Sequence, residues 1–230
     1  MGRCKEIIIK VIPANIANDF VKKHHYSGKV VPNSVLHFGA FLDGKLHGVL
    51  SYGNSMDKRK TMQLVNGTRW NEFIELNRMA FDDYLPRNSE SYCIGATLRM
   101  IKKQAPHIKW VISFADGAQC GDGTIYRASN FVLTGIKKNT QIIELQDGTR
   151  VAKKTLDNTI KDGRYLSNIV LEKGEGKYVE GFQLRYVYFI DKTYRKRLSV
   201  PEIPFTKIDE IGAGMYKGEK ITQAERHIDR

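Results

Sequence analysis

The sequence has little cysteine and no long apolar run. Its three cysteines, Cys4, Cys93 and Cys120, lie far apart and form no CxxC pair, which excludes a zinc knuckle or a disulfide framework. The apolar stretch at residues 6–12 is too short for a signal peptide or a membrane span, and no later segment qualifies. We therefore expect a reduced, cytoplasmic protein with no membrane partner.

Acidic residues are fewer than basic ones. Lysine and arginine number 37 against 25 aspartates and glutamates, which gives a formal net charge of +12 and a pI near 9.5. This charge favours a polyanionic partner, because neutralising phosphates releases their condensed counterions. The alternative is a generally basic protein that binds no polyanion, and the charge favours nucleic acid over it.

The pattern of apolar residues predicts an α/β fold. Apolar residues make up 41% of the chain, enough for a packed core. Asp43-Gly44, between two apolar runs, predicts a β-hairpin. Residues 71–81 and 108–115 are typical of strands, and the amphipathic residues 89–104 between them predict a helix. This order indicates a βαβ unit with parallel strands.

The chain changes character after residue 140. We predict that residues 1–140 form the core of the protein. Residues 141–230 contain a second Asp-Gly hairpin and an apolar strand at 182–191, followed by a basic segment at 192–197. We expect this part to be a β-rich extension that packs on the core.

The junction between the strand at 71–81 and the following helix is a candidate anion site. Unpaired backbone N–H groups and the helix dipole favour an anion at a helix N-terminus. Ser89, Ser91 and the amides after them would hold a phosphate, with Arg87 or Asn88 beside them. The alternative is that a serine here only caps the helix.

The stretch "IELNRMAFDDYLPRNSESYCIGATLRMI" resembles motif A of the GNAT acyltransferases, a strand, a Q/R-x-x-G-x-G/A loop and a helix. Asn88 stands at the Q/R position, Ser91 at the first glycine and Cys93 at the second position, so the chain departs from each signature residue. The resemblance implies a bound acetyl-CoA or related acyl-CoA. Its binding residues would be Arg87, Asn88, Ser89, Ser91, Tyr92, Cys93 and Gly95.

The stretch "IYRASNFVLTG" resembles motif B of the same superfamily. Asn130 replaces the usual glycine and tolerates a left-handed conformation. The resemblance implies that Tyr126 protonates the leaving thiolate; the alternative is a tyrosine that packs a helix on a sheet. Ser129, three residues on, is expected on the same helix face, where it would orient the donor or the base, or have no special role.

The phrases "HHYSG", "LNRMAF", "PRNSES", "FADG", "YRASNF", "RYVYFID" and "YRKRL" together resemble the Mom-type DNA-modification proteins of bacteriophages, a GNAT-related family. The resemblance covers roughly residues 15–200 and implies a GNAT-like mixed, splayed sheet flanked by helices, with residues 1–140 as the catalytic core. It implies a methylcarbamoyl group added to the exocyclic amine of adenine in double-stranded DNA, which protects the DNA from restriction in the host cytoplasm. It also implies an iron ion. The oligomeric state stays open, with a dimer as one option.

His25, Tyr26 and Asp116 are the candidate metal ligands. Imidazole and phenolate both suit iron, and Asp116 ends an apolar strand, where ligands bind in open α/β sheets and where it would serve catalysis as well. The alternatives are a histidine at a helix C-terminus and a turn aspartate. Asp122 is interpreted as a turn residue only.

Glu75 and Asn77 lie in the strand before the junction and are the candidate general bases. A strand glutamate near this place is frequent as a base in GNAT enzymes, and either residue would deprotonate an attacking amine. The alternative is a buried ion pair of Glu75 with Arg78 or Arg99.

Tyr52 and Trp70 flank a basic loop and are the candidate DNA-stacking residues. An enzyme that acts on a base within a duplex must flip it out, and an aromatic side chain then stacks on it. The alternative for each basic run is a solvated loop. The candidate phosphate contacts are Lys58, Arg59, Lys60, Tyr194, Arg195, Lys196 and Arg197.

Two rival functions remain open. One is an ordinary N-acetyltransferase for a protein, peptide or small amine. The other is a GNAT-derived DNA-binding module without catalysis, which the missing glycines of the loop would fit.

Overall fold

A computed structural model describes residues 3–222 and 225–227. Short 3-10 helices cover Arg3–Glu6, Lys192–Arg197 and Glu225–His227. The α-helices are α1 (Ala14–His24), α2 (Lys58–Met62), α3 (Ser89–Gln104), α4 (Thr124–Ala128), α5 (Lys153–Leu156), α6 (Leu166–Glu172) and α7 (Thr206–Glu210). The strands are β1 (Ile8–Val11), β2 (Ser34–Leu42), β3 (Lys45–Gly53), β4 (Phe73–Phe81), β5 (Trp110–Gly117), β6 (Val132–Lys138), β7 (Ile142–Leu145), β8 (Arg150–Ala152), β9 (Ile160–Lys161), β10 (Arg164–Tyr165), β11 (Gly176–Tyr178) and β12 (Phe182–Phe189).

The main sheet has seven strands in the order β1-β2-β3-β4-β5-β12-β6. Strands β1 to β4 pair antiparallel, and β4 pairs parallel with β5. The predicted strand–helix–strand unit is therefore present as β4, α3 and β5. The predicted α/β class, a mixed sheet flanked by helices, is confirmed.

Both predicted Asp-Gly hairpins form. Asp43 and Gly44 have φ of 50° and 76° and join β2 to β3. Positive φ at both turn residues matches the right-handed twist of the flanking strands, which is why aspartate and glycine stand there. The second hairpin joins β7 to β8, with Glu144 opposite Arg150.

Strand β4 bulges and then parts from β5. Ser51 pairs with Arg78 and Tyr52 with Leu76, so Asn77 is the extra residue of a β-bulge. The parallel pairing ends at Glu75 and Ile112, although both strands continue. Bulges re-aim side chains and are common beside active sites. The splayed sheet that the resemblance implied therefore opens after Glu75.

The chain divides into two compact units. The first comprises Met1–Phe114, Thr124–Thr134 and Arg185–Pro204, and the second comprises Ala115–Gly123, Gly135–Leu184 and Phe205–Arg230. Neither unit ends at residue 140. The packing of a C-terminal extension on a core stays a prediction.

Stacked aromatic rings anchor the core of the first unit. Trp110 is fully buried and stacks on Phe73 with ring centroids 4.4 Å apart. Its indole N–H donates to Thr68 Oγ1 at 3.1 Å, so the buried polar atom is satisfied. Helix α1 packs its buried Ala17 and Val21 against a second apolar cluster that includes Val49 and Ala80 of the sheet.

A buried ion pair holds the C-terminal segment of the second unit. Arg226 binds the Asp122 carboxylate at 2.5 Å, and the two side chains are 8% and 1% exposed. Asp122 N–H donates to Met215 O at 2.9 Å, and Arg226 also donates to Ile221 O. The interpretation of Asp122 as a turn residue only is wrong. Its carboxylate binds the guanidinium of Arg226, which is 104 residues away in the sequence.

Candidate active site

A buried tyrosine and serine lie where β4 and β5 part. Ser113 Oγ lies 3.0 Å from Leu76 O and 2.9 Å from Tyr126 Oη. The Ser113 hydroxyl therefore lies between a carbonyl, which only accepts, and the Tyr126 hydroxyl, which can donate or accept. The Tyr126 ring packs on Phe131 and Tyr186. The role of Tyr126 as a proton donor stays a prediction.

Glu75, the last residue of β4 that pairs with β5, is half-buried. Burial raises the pKa of its carboxyl, and the nearby Ser55 hydroxyl, Asn77 amide and Arg78 guanidinium oppose that shift. A carboxylate with a raised pKa is a stronger proton acceptor. The structure brings the Glu75 and Asn77 side chains together. Their roles as bases stay predictions.

Arg78 and His25 meet beside Tyr26 on the neighbouring part of β4. Arg78 Nη1 lies 3.4 Å from His25 Nε2, and His25 Nδ1 lies 2.8 Å from Ser27 Oγ. Burial, with the Arg78 charge, lowers the pKa of His25 to about 4. His25 is therefore neutral at neutral pH. The Ser27 backbone N–H donates to His25 Nδ1 at 3.1 Å, and the Arg78 guanidinium faces Nε2 on the other side of the ring.

The donors around His25 do not fit an iron ion. A metal on His25 Nε2 would face the Arg78 guanidinium, a permanent cation. Among residues 3–222 and 225–227, no group of three or more His, Cys, Asp or Glu side chains is placed to hold a metal ion. The described residues thus give no support to the predicted ligand set of His25, Tyr26 and Asp116.

Asp116 belongs to the second unit and organises a turn after β5. Its Oδ1 accepts from Ala118 N–H at 3.1 Å and from Gln183 Nε2 at 2.9 Å, and its Oδ2 accepts from Gln119 Nε2 at 3.0 Å. Both oxygens are thus engaged by neutral donors. Asp116 therefore acts as a turn residue, which was the alternative in the sequence analysis. A catalytic role of Asp116 stays a prediction.

The start of α3 offers backbone amides to an anion, but its serine hydroxyls do not. Ser89 is buried and donates to Pro86 O, and Ser91 donates to Asn88 O at 3.1 Å. Asn88 precedes the helix in a left-handed conformation with φ of 69°. The prediction that the two hydroxyls bind phosphate is wrong for this arrangement, because both donate to the backbone.

The remaining residues that were predicted to bind the coenzyme differ in their solvent exposure. Arg87 and Asn88 are exposed, and Tyr92 and Gly95 are half-buried. Cys93 is fully buried, and burial raises the pKa of its thiol to about 12. The Cys93 side chain faces the core and cannot contact a ligand, which corrects its assignment. Coenzyme binding at Arg87, Asn88, Tyr92 and Gly95 stays a prediction.

Ser129 does not lie on the helix that carries Tyr126. Helix α4 ends at Ala128, and Ser129 Oγ donates to Ile125 O at 2.8 Å while the side chain is buried. Its predicted role in orienting a ligand is wrong, since the hydroxyl is used inside the turn. Asn130 has φ of 62°, as its replacement of glycine predicted.

Two predicted basic segments come together in the first unit. Asn66 N–H donates to Arg197 O at 2.8 Å, and Arg197 Nε donates to Asn66 O at 2.6 Å. This contact joins the loop that carries α2 to the 3-10 helix at Lys192–Arg197. Trp70 is 50% exposed, and Lys58 Nζ lies 4.8 Å from its ring centroid. Arg59, Lys60 and Lys196 are exposed.

Three of the predicted DNA contacts are used inside the protein. Tyr52 is 0% exposed and its hydroxyl lies 2.7 Å from Thr97 Oγ1, so it cannot stack on a base. Tyr194 is buried with its hydroxyl on Glu72. Arg195 binds Glu202 through two 2.6 Å bonds, which neutralise its charge. The predictions for these residues are wrong. Arg197 is half-buried over the Tyr194 ring, and its phosphate contact stays a prediction.

The sequence reasoning missed three residues of the site. Ser113 lies in a continuous apolar run, where a lone serine was the available signal. Arg78 was considered only as a partner in an ion pair. Asn54 links the site to the basic surface, because its backbone oxygen accepts from Asn77 Nδ2 at 3.2 Å and its Oδ1 accepts from Lys58 Nζ at 2.6 Å.

The parted parallel strands and the helix after β4 are the features that the resemblance to acyltransferases implied. The chain belongs to the Mom protein family, whose family model matches residues 6–207. It is 38% identical over 197 residues to a protein of Escherichia phage Mu named methylcarbamoylase mom, covering 85% of this chain and 80% of that protein.

Two acetyltransferases are among the solved structures that match this chain at low sequence identity. An IAA acetyltransferase from Bacillus cereus is 11% identical with a TM-score of 0.44, covering 80% of this chain and 99% of that one. The spermidine/spermine N-acetyltransferase SpeG from Vibrio cholerae is 8% identical with a TM-score of 0.45, covering 85% and 99%. In the part of the chain that is described, no helix has the length and apolar character needed to span a membrane.

Proposed function

We propose that this protein adds a methylcarbamoyl group to the exocyclic amine of adenine in double-stranded DNA, and that the product protects phage DNA from restriction in the host cytoplasm. Membership of the Mom family and the name of the phage Mu relative support this proposal. The observation that carries it is the link through Asn54, which joins Asn77 at the parted strands to Lys58 on the basic surface.

The donor in this proposal is an acyl-CoA. The first-turn N–H groups of α3 at Glu90 and Ser91 would bind its diphosphate, since they precede the first intrahelical bond, from Tyr92 N–H to Asn88 O. The acyl end would lie where β4 and β5 part, because backbone groups beyond Glu75 and Ile112 are released there from the sheet ladder. A loop without glycines then binds through the helix amides rather than through its side chains.

Two proton transfers follow from the residues at the parting. Glu75, with its raised pKa, would accept the proton that the adenine amine loses as it forms its bond to carbon. Tyr126 would donate a proton to the thiolate of coenzyme A when the C–S bond of the donor breaks, and the Ser113 hydroxyl lies 2.9 Å from its oxygen. The amide nitrogen of the methylcarbamoyl group requires a separate ammonia-level nitrogen donor, because a thioester carries none. Asn77, hydrogen-bonded to Asn54, orients the amine.

The basic surface would hold DNA with one adenine flipped out. Trp70 is an exposed aromatic side chain beside Lys58 and is suited to stacking on the base. Lys58 Nζ lies over the Trp70 ring and donates to Asn54 Oδ1. A phosphate bound by Lys58 would therefore fix the position of the DNA relative to the site. The other phosphate contacts would be Arg59, Lys60, Lys196 and Arg197.

The test is incubation of the purified protein with plasmid DNA and acyl-CoA donors, followed by nucleoside mass analysis. We expect a new adenine nucleoside in wild type and in the control Glu144→Gln, which changes an exposed ion pair with Arg150, and none in Glu75→Gln. Acetylated amines with unmodified DNA would assign the protein to the ordinary N-acetyltransferases. Salt-dependent DNA binding without product would identify a binding module.

A further inference from the structure

Three exposed apolar side chains lie on neighbouring segments of the first unit. Met56 is 81% exposed and Val35 is 74% exposed, the two highest values among the large apolar side chains in the part of the chain that the structure describes. Trp70 is 50% exposed. Single exposed apolar residues are ordinary on a protein surface, whereas several on adjoining segments indicate a surface that binds a partner.

Asn54 connects the segments that carry these side chains. Its backbone N–H donates to Asn33 O at 3.2 Å, two residues before Val35. Its Oδ1 accepts from Lys58 Nζ at 2.6 Å, and that ammonium lies 4.8 Å from the Trp70 ring centroid. Met56 follows Asn54 by two residues. The three side chains therefore belong to one surface, which also carries the basic residues of α2.

Met56 is held in its exposed position by fixed neighbours on both sides. Ser55 before it is 5% exposed, and its side chain is near the Glu75 carboxyl. Asp57 after it caps α2, because its Oδ1 accepts from Lys60 N–H at 3.1 Å. The thioether thus stands out to solvent beside the candidate base, on a short loop that is anchored at each end. Such a preorganised side chain loses little conformational entropy when it binds.

We propose that Met56 enters the DNA duplex and occupies the place that the flipped adenine leaves. This inference rests on the proposed function, because it assumes that the flipped base lies beside Glu75. Methionine is among the apolar side chains that DNA-binding proteins insert between base steps, where it replaces part of the stacking that the base has lost. Helix α2 begins two residues later with three basic residues, which would contact the phosphates beside the gap.

The test uses duplexes in which 2-aminopurine replaces one adenine, since its fluorescence rises when it leaves the base stack. The fluorescence is read at saturating protein, so that a change in affinity does not enter. We expect a rise with wild type, and in Met56→Ala we expect the ratio of flipped to stacked complexes to fall about tenfold, because the apolar area that methionine would bury is lost. Met56→Leu should keep most of the rise. The control Ile160→Ala, which removes a 65% exposed side chain of the second unit, should behave as wild type.

A second duplex distinguishes insertion from a merely structural role of Met56. In this duplex an abasic site lies opposite 2-aminopurine, so that no base pair has to be broken and flipping is less costly. Met56→Ala should therefore keep most of its fluorescence rise on this duplex. An equal loss on both duplexes overturns the inference, and so does an unchanged rise on the paired one. A loss in Trp70→Ala alone assigns the insertion to Trp70 and also overturns it.

Two further outcomes separate this inference from the proposed function. No fluorescence rise with wild type, together with adenine adducts in the nucleoside assay, overturns the insertion of Met56 and leaves the proposed modification standing. A rise that depends on Met56, without any adenine adduct, overturns the modification and supports the insertion. A melting curve of each variant shows whether it is folded.

Discussion

Replacing Tyr126 by phenylalanine separates packing from proton donation. The ring lies 5.4 Å from Phe131 and 5.2 Å from Tyr186, centroid to centroid, and phenylalanine keeps both contacts. The variant loses the 2.9 Å hydrogen bond to Ser113. A hydrogen bond contributes about 0.5–1.5 kcal/mol net, so we expect the free energy of unfolding to fall by about 1 kcal/mol. For a chain of this size the melting temperature should fall by about 2–4 °C.

The expected effect on turnover is much larger than the effect on stability. A positioned general acid contributes about 10²–10⁴-fold, or about 3–5 kcal/mol of activation free energy. We therefore expect kcat for adenine modification to fall about a hundredfold or more, with unchanged DNA affinity. The assay is nucleoside mass analysis over time at saturating donor and DNA.

A matched tyrosine provides the control for this prediction. Tyr165 is 51% exposed and lies in β10 of the second unit, so Tyr165→Phe should change neither kcat nor the melting temperature. Wild-type kcat in a folded Tyr126→Phe variant would refute the proton-donor role. A fall in kcat matched by a fall in DNA affinity would also count against it, since the hydroxyl is not expected to contact DNA.

Three further predictions follow from the structure. The pKa of His25 is lowered from 6.5 to about 4 in the folded state, so the unfolded chain binds an extra proton between these values. Stability should therefore fall as the pH drops from 6.5 towards 4, and urea titrations of His25→Asn should show a flatter dependence; an unchanged slope would exclude this cause. Trp70→Ala should weaken DNA binding by about 1–3 kcal/mol through lost stacking, and equal affinities in fluorescence anisotropy would remove Trp70 from the interface. Gly53→Ala would place a Cβ 2.0 Å from Asn33 O, so its urea midpoint should fall by the equivalent of about 1–3 kcal/mol, and a wild-type midpoint would show that the backbone there can shift.

Elements with a local cause were predictable from the sequence. Asp43-Gly44 forms its hairpin and Asn130 adopts a positive φ because the chemistry of one or two residues decides both. The βαβ unit followed from the periodicity of a long helix and a continuous apolar strand. The position of β12 beside β5 in the main sheet depends on pairing across the chain, which no local pattern reports.

The errors in the site have a common physical origin. Tyr52 looked like a stacking platform because it borders a polar loop, yet it points at α3 and bonds Thr97. Ser89 and Ser91 were expected to bind a ligand, but their hydroxyls reach backbone carbonyls one turn away. The half-burial of Arg78 results from tertiary packing, which the strand pattern of the sequence does not report. Composition reveals residue type, whereas the direction of a side chain depends on what packs around it.

The ion pair between Asp122 and Arg226 has a practical consequence for anyone who shortens this chain. The family match ends at residue 207, and a cut there would discard the guanidinium that binds a carboxylate only 1% exposed. Removing one partner of a buried pair costs about 3–5 kcal/mol, a large share of the stability of an ordinary domain. The end of the family match at residue 207 is therefore a poor guide to where this chain can be truncated. An affinity tag is better placed at the N-terminus.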